Sequence, residues 1–179
     1  MIVVCFEFPS LLELIRNNQF DTVYHEHYSY ISLTALRTIC EQAGLAIFDV
    51  TKIPTHGGSF RVYTQPIGSA FHGVTENVQK ILTEERVAGV KEEPFYTKFQ
   101  ATVEKVKLDF LEFLIGARRA GMRVAGYGAA AKGNTLLNYC GVKADLVPLV
   151  CDAAEAKQGN YLPGSRIPIV SPQYLVEYK

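Results

Sequence analysis

Two runs of β-branched and aromatic residues, Leu45 to Ile53 and Ser59 to Gln65, stand five residues apart. A parallel crossover needs about a dozen residues or more, usually as a helix, so strands joined by Pro54-Thr55-His56-Gly57-Gly58 must run antiparallel. The paired glycines supply the positive φ that a tight turn requires. His56 stands at the tip of this hairpin, where its ring can reach into a neighbouring cleft.

The elements before the hairpin alternate. Ile2 to Phe6 is an unbroken apolar run, the pattern of a strand covered on both faces in a mostly parallel sheet. Ser10-Leu11-Leu12-Glu13 is a capping-box pattern that starts a short helix ending at Asn17-Asn18-Gln19. Thr34 can cap a second helix carrying Leu36, Ile39 and Cys40, closed by Gly44.

After the hairpin, Ile67 to about Gly121 reads as helical. Val74, Val78, Ile81 and Leu82 mark one apolar face ending near Gly89. Phe95, Phe99, Val103, Val106, Phe110, Phe113, Leu114 and Ala117 mark a second. That second stripe implies a helix of roughly 35–40 Å at about 1.5 Å per residue, long enough to connect two lobes.

The last third changes character. It reads as a strand over Met122 to Tyr127, a turn at Gly126-Tyr127-Gly128, and a helix over Ala129 to Cys140 capped by Gly141. A strand follows over Leu146 to Cys151, then a short one over Ile167 to Val170 and a helix start at Ser171-Pro172. This is a small doubly wound α/β unit.

Composition narrows the function classes. Hydrophobic residues make up 48% of the 179, and 18 Lys plus Arg balance 18 Asp plus Glu. The chain therefore has matter for a core and no general attraction to nucleic acid or anionic membrane. Cys5, Cys40, Cys140 and Cys151 are scattered, which argues against a zinc knuckle or disulfide framework and suits a reducing cytoplasm. The apolar opening meets Glu7 and Pro9 too soon for an export signal or a membrane span.

Two stretches carry chemistry. Phe20 to Tyr30 reads Phe-Asp-Thr-Val-Tyr-His-Glu-His-Tyr-Ser-Tyr. In an extended chain Tyr24 and Glu26 share one side, and His25 and His27 the other. A histidine with a carboxylate neighbour can act as a general base near neutral pH. It can equally be part of a polar loop whose rings only hydrogen-bond to backbone; a zinc pair would need more ligands than this stretch offers. Gly126-x-Gly128-x-x-Ala131, with Asp152 at the end of the next strand, fits the dinucleotide fingerprint. Its glycines free amides at a helix N-terminus for a phosphate. Lys132 and Asn134 lie in the first turns beside them, although a lysine there also suits a solvated face.

Taken together, Tyr24-His25-Glu26-His27, Thr55-His56-Gly57-Gly58-Ser59, Gly126 to Asn134, and Leu162-Pro163-Gly164 before Ile167-Pro168-Ile169 resemble the S-adenosylmethionine-dependent sugar C-methyltransferases. Those enzymes act on nucleotide-linked 4-keto deoxysugars. The resemblance implies an α/β chain in three parts. Residues 1–66 would be the end of a class I methyltransferase sheet with its reversed β-hairpin, 67–120 a helical connector, and 121–179 a small Rossmann-like nucleotide-binding domain. It implies His27 as catalytic base with Glu26 and Tyr24 beside it. His56, Gly128, Lys132 and Asn134 would bind substrate, with no metal among these residues.

The family's zinc cysteines and adenosylmethionine loop would lie upstream, so the chain by itself is expected to bind S-adenosylmethionine poorly and to be inactive. The expected partners are the keto-sugar substrate and either a second copy, through an open sheet edge at Ile2 to Phe6, or a missing N-terminal half. Two other readings stay open on the residues alone: an NAD(P)-binding oxidoreductase built on the Gly126 turn, which lacks any histidine after His72, and a non-catalytic sugar-nucleotide-binding module.

Overall fold

The computed structural model describes residues 2–177. The chain divides into two compact units, Met1–Phe20 with His27–Ala101, and Asp21–Glu26 with Thr102–Lys179. The fold is mixed α/β, with a three-stranded antiparallel sheet in the first unit and a three-stranded parallel sheet in the second.

In the first unit β1 (Val4–Pro9), β2 (Leu45–Ile53) and β3 (Ser59–Pro66) pair in the order β1-β3-β2. The short turn makes β2 and β3 antiparallel as the spacing requires. Helices α1 (Leu11–Arg16), α2 (Leu33–Gln42) and α3 (Glu76–Ala88) complete the unit. Phe60, Val62, Val50 and Ile47 from the strands meet Leu33, Leu36 and Cys40 of α2 and Val78 and Ile81 of α3 in one core. This is the period-2 face of a sheet meeting the apolar stripes of two helices.

Four local expectations need correction. The Ile2 to Phe6 run is not covered on both faces: β1 is an outer strand paired with β3, Val4 and Phe6 are half-buried, and Cys5 and Glu7 are exposed. An unbroken apolar run carries no parity, so it cannot reveal a one-sided strand. The N-cap of α2 is Ser32, whose Oγ accepts from the Ala35 amide at 3.0 Å, rather than Thr34. The Ser10 cap forms, with Oγ accepting from the Glu13 amide, but the Glu13 carboxylate turns to Asn17 and Lys52 and the reciprocal half of the box is missing. Helix does not start at Ile67, because the Gln65 carboxamide brackets the backbone of His72 from both sides and Thr75 donates to Asp49. These bonds hold residues 67–75 as a loop and leave Val74 67% exposed.

Helix α4 (Glu93–Arg119) is continuous, belonging to the first unit through Ala101 and to the second from Thr102. Its stripe is narrower than the sequence suggests: Val103, Leu114 and Ala117 are buried while Phe113 is 61% exposed. In the second unit β4 (Gly126–Tyr127), α5 (Ala131–Cys140), β5 (Val150–Cys151), β6 (Ile169–Val170) and α6 (Tyr174–Glu177) follow the expected order, with parallel strands β4-β5-β6. Each strand is shorter than its apolar run. Pro148 and Pro168 cannot donate to a ladder, and pairing on both strands starts beyond them. Leu114, Leu137, Val142, Val147, Val150 and Ile167 form the second core. Gly89 and Gly141 end α3 and α5 in the left-handed conformation.

Ser32 shares the N-terminus of α2 with a more distant residue. Glu85 of α3 is fully buried, and its carboxylate accepts from the amides of Leu33 at 2.7 Å and Thr34 at 2.8 Å and from the Thr34 hydroxyl at 2.6 Å. A carboxylate at a helix N-terminus satisfies orphan amides and interacts favourably with the helix dipole. Removing it leaves buried donors without acceptors. Glu85→Ala is therefore expected to destabilise the first unit by about 3 kcal/mol, read by urea unfolding. A loss below about 1 kcal/mol would show that water replaces the carboxylate.

Candidate active site

The hairpin tip holds three successive residues at positive φ. His56, Gly57 and Gly58 have φ of 55°, 86° and 126°. A non-glycine residue in the left-handed region is strained, and such strain persists only where the surroundings over-determine it. Here they do: the Ser10 amide donates to the Gly58 carbonyl at 3.0 Å, Ser59 Oγ to the Thr55 carbonyl at 2.9 Å, and Gln19 Nε2 to the Gly57 carbonyl at 2.7 Å. A Cβ on Gly57 would lie 2.5 Å from Gln19 Nε2.

This turn presents the exposed His56 ring edge-on to half-buried His27, with centroids 5.6 Å apart and planes at 86°. Tyr30 stands on His27 at 6.4 Å and 69°. Tyr30 also lines a cavity of about 230 Å³ with Leu11, Thr38, Val90 and Tyr96. His27 and His56, which the sequence marks in separate motifs, are thus brought together. Tyr24 and Glu26 belong with the second unit. The Glu26 carboxylate lies 3.8 Å from His25 Nε2, both side chains well exposed, and the Tyr24 ring is tilted against His25 at 6.4 Å. The carboxylate beside His25 is an exposed pair of the kind that contributes little.

In the second unit the turn after β4 lines a cavity of about 310 Å³. Gly128 and Asn134 face it together with Phe110, Phe113, Tyr127 and Leu162. Lys132 is half-buried and lies outside its lining. Gly126 is required by close approach, since a Cβ there would sit 2.9 Å from Val150 Cγ2, and Gly128 by its φ of 94°. The Asn134 Oδ1 accepts from Asn138 Nδ2 at 3.2 Å, which leaves its NH2 to donate to a ligand.

The model of the C-methyltransferase C-terminal domain matches residues 54–179. C-methyltransferase NovU from Streptomyces niveus is 45% identical over 167 residues, which are 93% of this chain and 40% of that protein. The chain belongs to the C-methyltransferase family. It spans about two fifths of the length of the curated relative it matches.

A methyltransferase family implies S-adenosylmethionine as methyl donor, so the Gly126 turn of this C-methyltransferase chain can be tested for it. An adenosyl ribose needs a carboxylate facing its hydroxyls. Asp152 instead accepts from the Ala154 amide on one oxygen at 2.8 Å. Its other oxygen accepts from the Ala129 amide at 2.7 Å and Lys157 Nζ at 3.1 Å. Both oxygens serve to close the loop, and this turn does not fit the donor. Among the described residues no three His, Cys, Asp or Glu side chains cluster as a metal would require, and no helix is long and apolar enough to cross a membrane.

Two side-chain roles, one in each unit, are not legible in the local sequence. Gln19 reads as the polar end of a helix, and only the fold carries it to a carbonyl 38 residues away. Asp152 has the spacing of a ribose ligand but serves as a loop clasp.

The Asp152 carboxyl is held below the usual carboxylate range, first by the Ala154 amide, then by the Ala129 amide and Lys157. A depressed folded-state pKa gives stability that is present above the unfolded value of about 3.9 and lost as pH falls through the lower folded-state value. Asp152→Asn is therefore expected to speed exchange of the Ala129 and Ala154 amides at neutral pH. The gap to the parent chain should close as pH drops below about 4. A gap of constant size between neutral and acid pH would exclude the charge as its cause.

Proposed function

We propose that this chain carries the proton-removing and substrate-binding part of a C-methyltransferase that uses S-adenosylmethionine to methylate the carbon beside the ketone of a nucleotide-linked 4-keto deoxysugar. Making a carbon–carbon bond to an electrophilic methyl group requires a carbanion equivalent, and a carbon next to a ketone becomes one on losing its proton. S-adenosylmethionine supplies the methyl group; none of the residues described above is assigned to it.

His27 is the base in this reading. The observation that carries it is the placement of His27 against His56 at a strained, three-fold-clamped turn, in a chain of a C-methyltransferase family. Strained backbone concentrates where geometry serves chemistry. A base must be held within hydrogen-bond reach of the proton it takes, and packing of both imidazole and phenol rings restricts how His27 can turn. Tyr24 donates to the enolate oxygen and Glu26 orients the sugar, which are the roles their residue types permit. His56 binds the keto sugar.

The nucleotide end is assigned to the second unit. Gly128 and Asn134 on an apolar cavity suit a flat, partly polar group, and Lys132 contributes charge near the phosphates. We assign residues 1–66 to the end of a class I methyltransferase sheet, residues 67–120 to a connector, and residues 121–179 to a Rossmann-like domain. The antiparallel β2–β3 pair and the parallel β4-β5-β6 order support this. The free cysteines suit the cytoplasm. The closed Asp152 clasp does not favour the oxidoreductase reading.

In the active enzyme, His27→Ala is expected to lower turnover by about 10²–10⁴-fold, the usual worth of a general base. Steady-state assays of methyl transfer to a nucleotide-linked 4-keto deoxysugar read this directly, and an unchanged rate would remove His27 from the role.

A further inference from the structure

We propose that Gln19 is the positioning residue of the imidazole pair: its donation to the Gly57 carbonyl holds the His56 turn in the conformation that presents His56 to His27. This deepens the reading of His27 as base and rests on it for any consequence in turnover.

The geometry begins in α1. The helix ends at Arg16, and the Gln19 amide closes back onto the Leu14 carbonyl at 2.9 Å. Asn18 between them takes φ 50°. This reversal sends the next side chain, Gln19, toward the hairpin tip, where Nε2 meets the Gly57 carbonyl at 2.7 Å. Two non-glycine residues in the left-handed region, Asn18 and His56, thus flank a single long-range hydrogen bond. Strain of this kind persists only where surrounding contacts fix it.

The other two clamps do not fix His56 by themselves. Ser10 holds the carbonyl of Gly58 and Ser59 that of Thr55, at the two sides of the turn. The peptide after the one that leaves His56 carries the Gly57 carbonyl, and Gln19 Nε2 donates to it. The Gln19 carboxamide also fills the space that any side chain at position 57 would need, with Nε2, Cδ and Oε1 at 2.5, 2.9 and 3.0 Å from a built Cβ. Without the donor, the Gly57–Gly58 peptide is left with the turn bond from the Gly58 amide to the Thr55 carbonyl at 3.0 Å. A turn relaxing toward negative φ would carry the His56 ring away from its edge-on contact with His27.

The test is nuclear magnetic resonance of the ¹³C,¹⁵N-labelled chain. Gln19→Met keeps the length of the side chain and removes the donor. The His27–His56 ring cross-peak is expected to disappear and the imidazole signals of both to shift. His72, stacked on Phe48 at 4.4 Å in the same unit, should stay in place. A His27–His56 cross-peak of unchanged intensity in Gln19→Met overturns the proposal. So does a shift of His72 as large as that of His56, which would mean a merely structural role.

If Gln19→Met fails to fold, the parent chain decides. A Gln19 carboxamide hydrogen exchanging more slowly than those of exposed Gln173 supports the bond, and equal exchange overturns it. Neither readout involves methyl transfer. Failure of the base role would appear as unchanged turnover in His27→Ala, whereas the cross-peak is read in chains that keep His27, so the two ideas fail separately.

Discussion

A turn that holds His56 at positive φ persists only where its surroundings over-determine it, and three groups of the first unit do so. The antiparallel pairing of β2 and β3 places the turn. The start of α1 supplies the Ser10 amide, the chain reversal beyond its end supplies Gln19, and β3 supplies Ser59. The local cost of left-handed histidine is of order 1–3 kcal/mol, comparable to what about two or three net hydrogen bonds contribute. The product of that balance is one imidazole set edge-on to another.

The second arrangement that serves the site is the Glu85 clasp. The stretch that carries His27 runs directly into α2, whose first turn would begin with unsatisfied amides. Glu85, fully buried, accepts from two of them and thereby ties α3 to the start of α2. Ser32 satisfies a third. Tyr30 lies two residues before this cap, so the helix start fixes where the stretch that carries His27 must end. In the second unit Asp152 does comparable work at the β4 turn, where its carboxylate holds the loop that lines the apolar cavity.

Features governed by near neighbours were readable from residues. The hairpin followed from a five-residue gap, the ends of α3 and α5 from Gly89 and Gly141, and the parallel order of the last strands from alternating runs and turns. The motifs that resemble sugar C-methyltransferases led to the family the comparisons show. What was not readable depends on partners far along the chain. Thr34 looks like a cap because Glu85, 51 residues away, cannot be seen from it. Residues 67–75 look helical because nothing local reveals the Gln65 bracket around His72. The one-sided burial of β1 was hidden because an apolar run has no parity. Gln19 gave no signal at all, since its role exists only when the hairpin folds back upon α1.

The central claim is that His27 removes a proton from carbon, and this step precedes any methyl transfer. It is tested most directly by incubating a nucleotide-linked 4-keto deoxysugar with the protein in D₂O without methyl donor and following deuterium at the carbon beside the ketone by mass spectrometry. The account predicts wash-in well above the uncatalysed rate with the parent chain and wash-in at the uncatalysed rate with His27→Ala. Equal wash-in for the two chains, fast or slow, would contradict it.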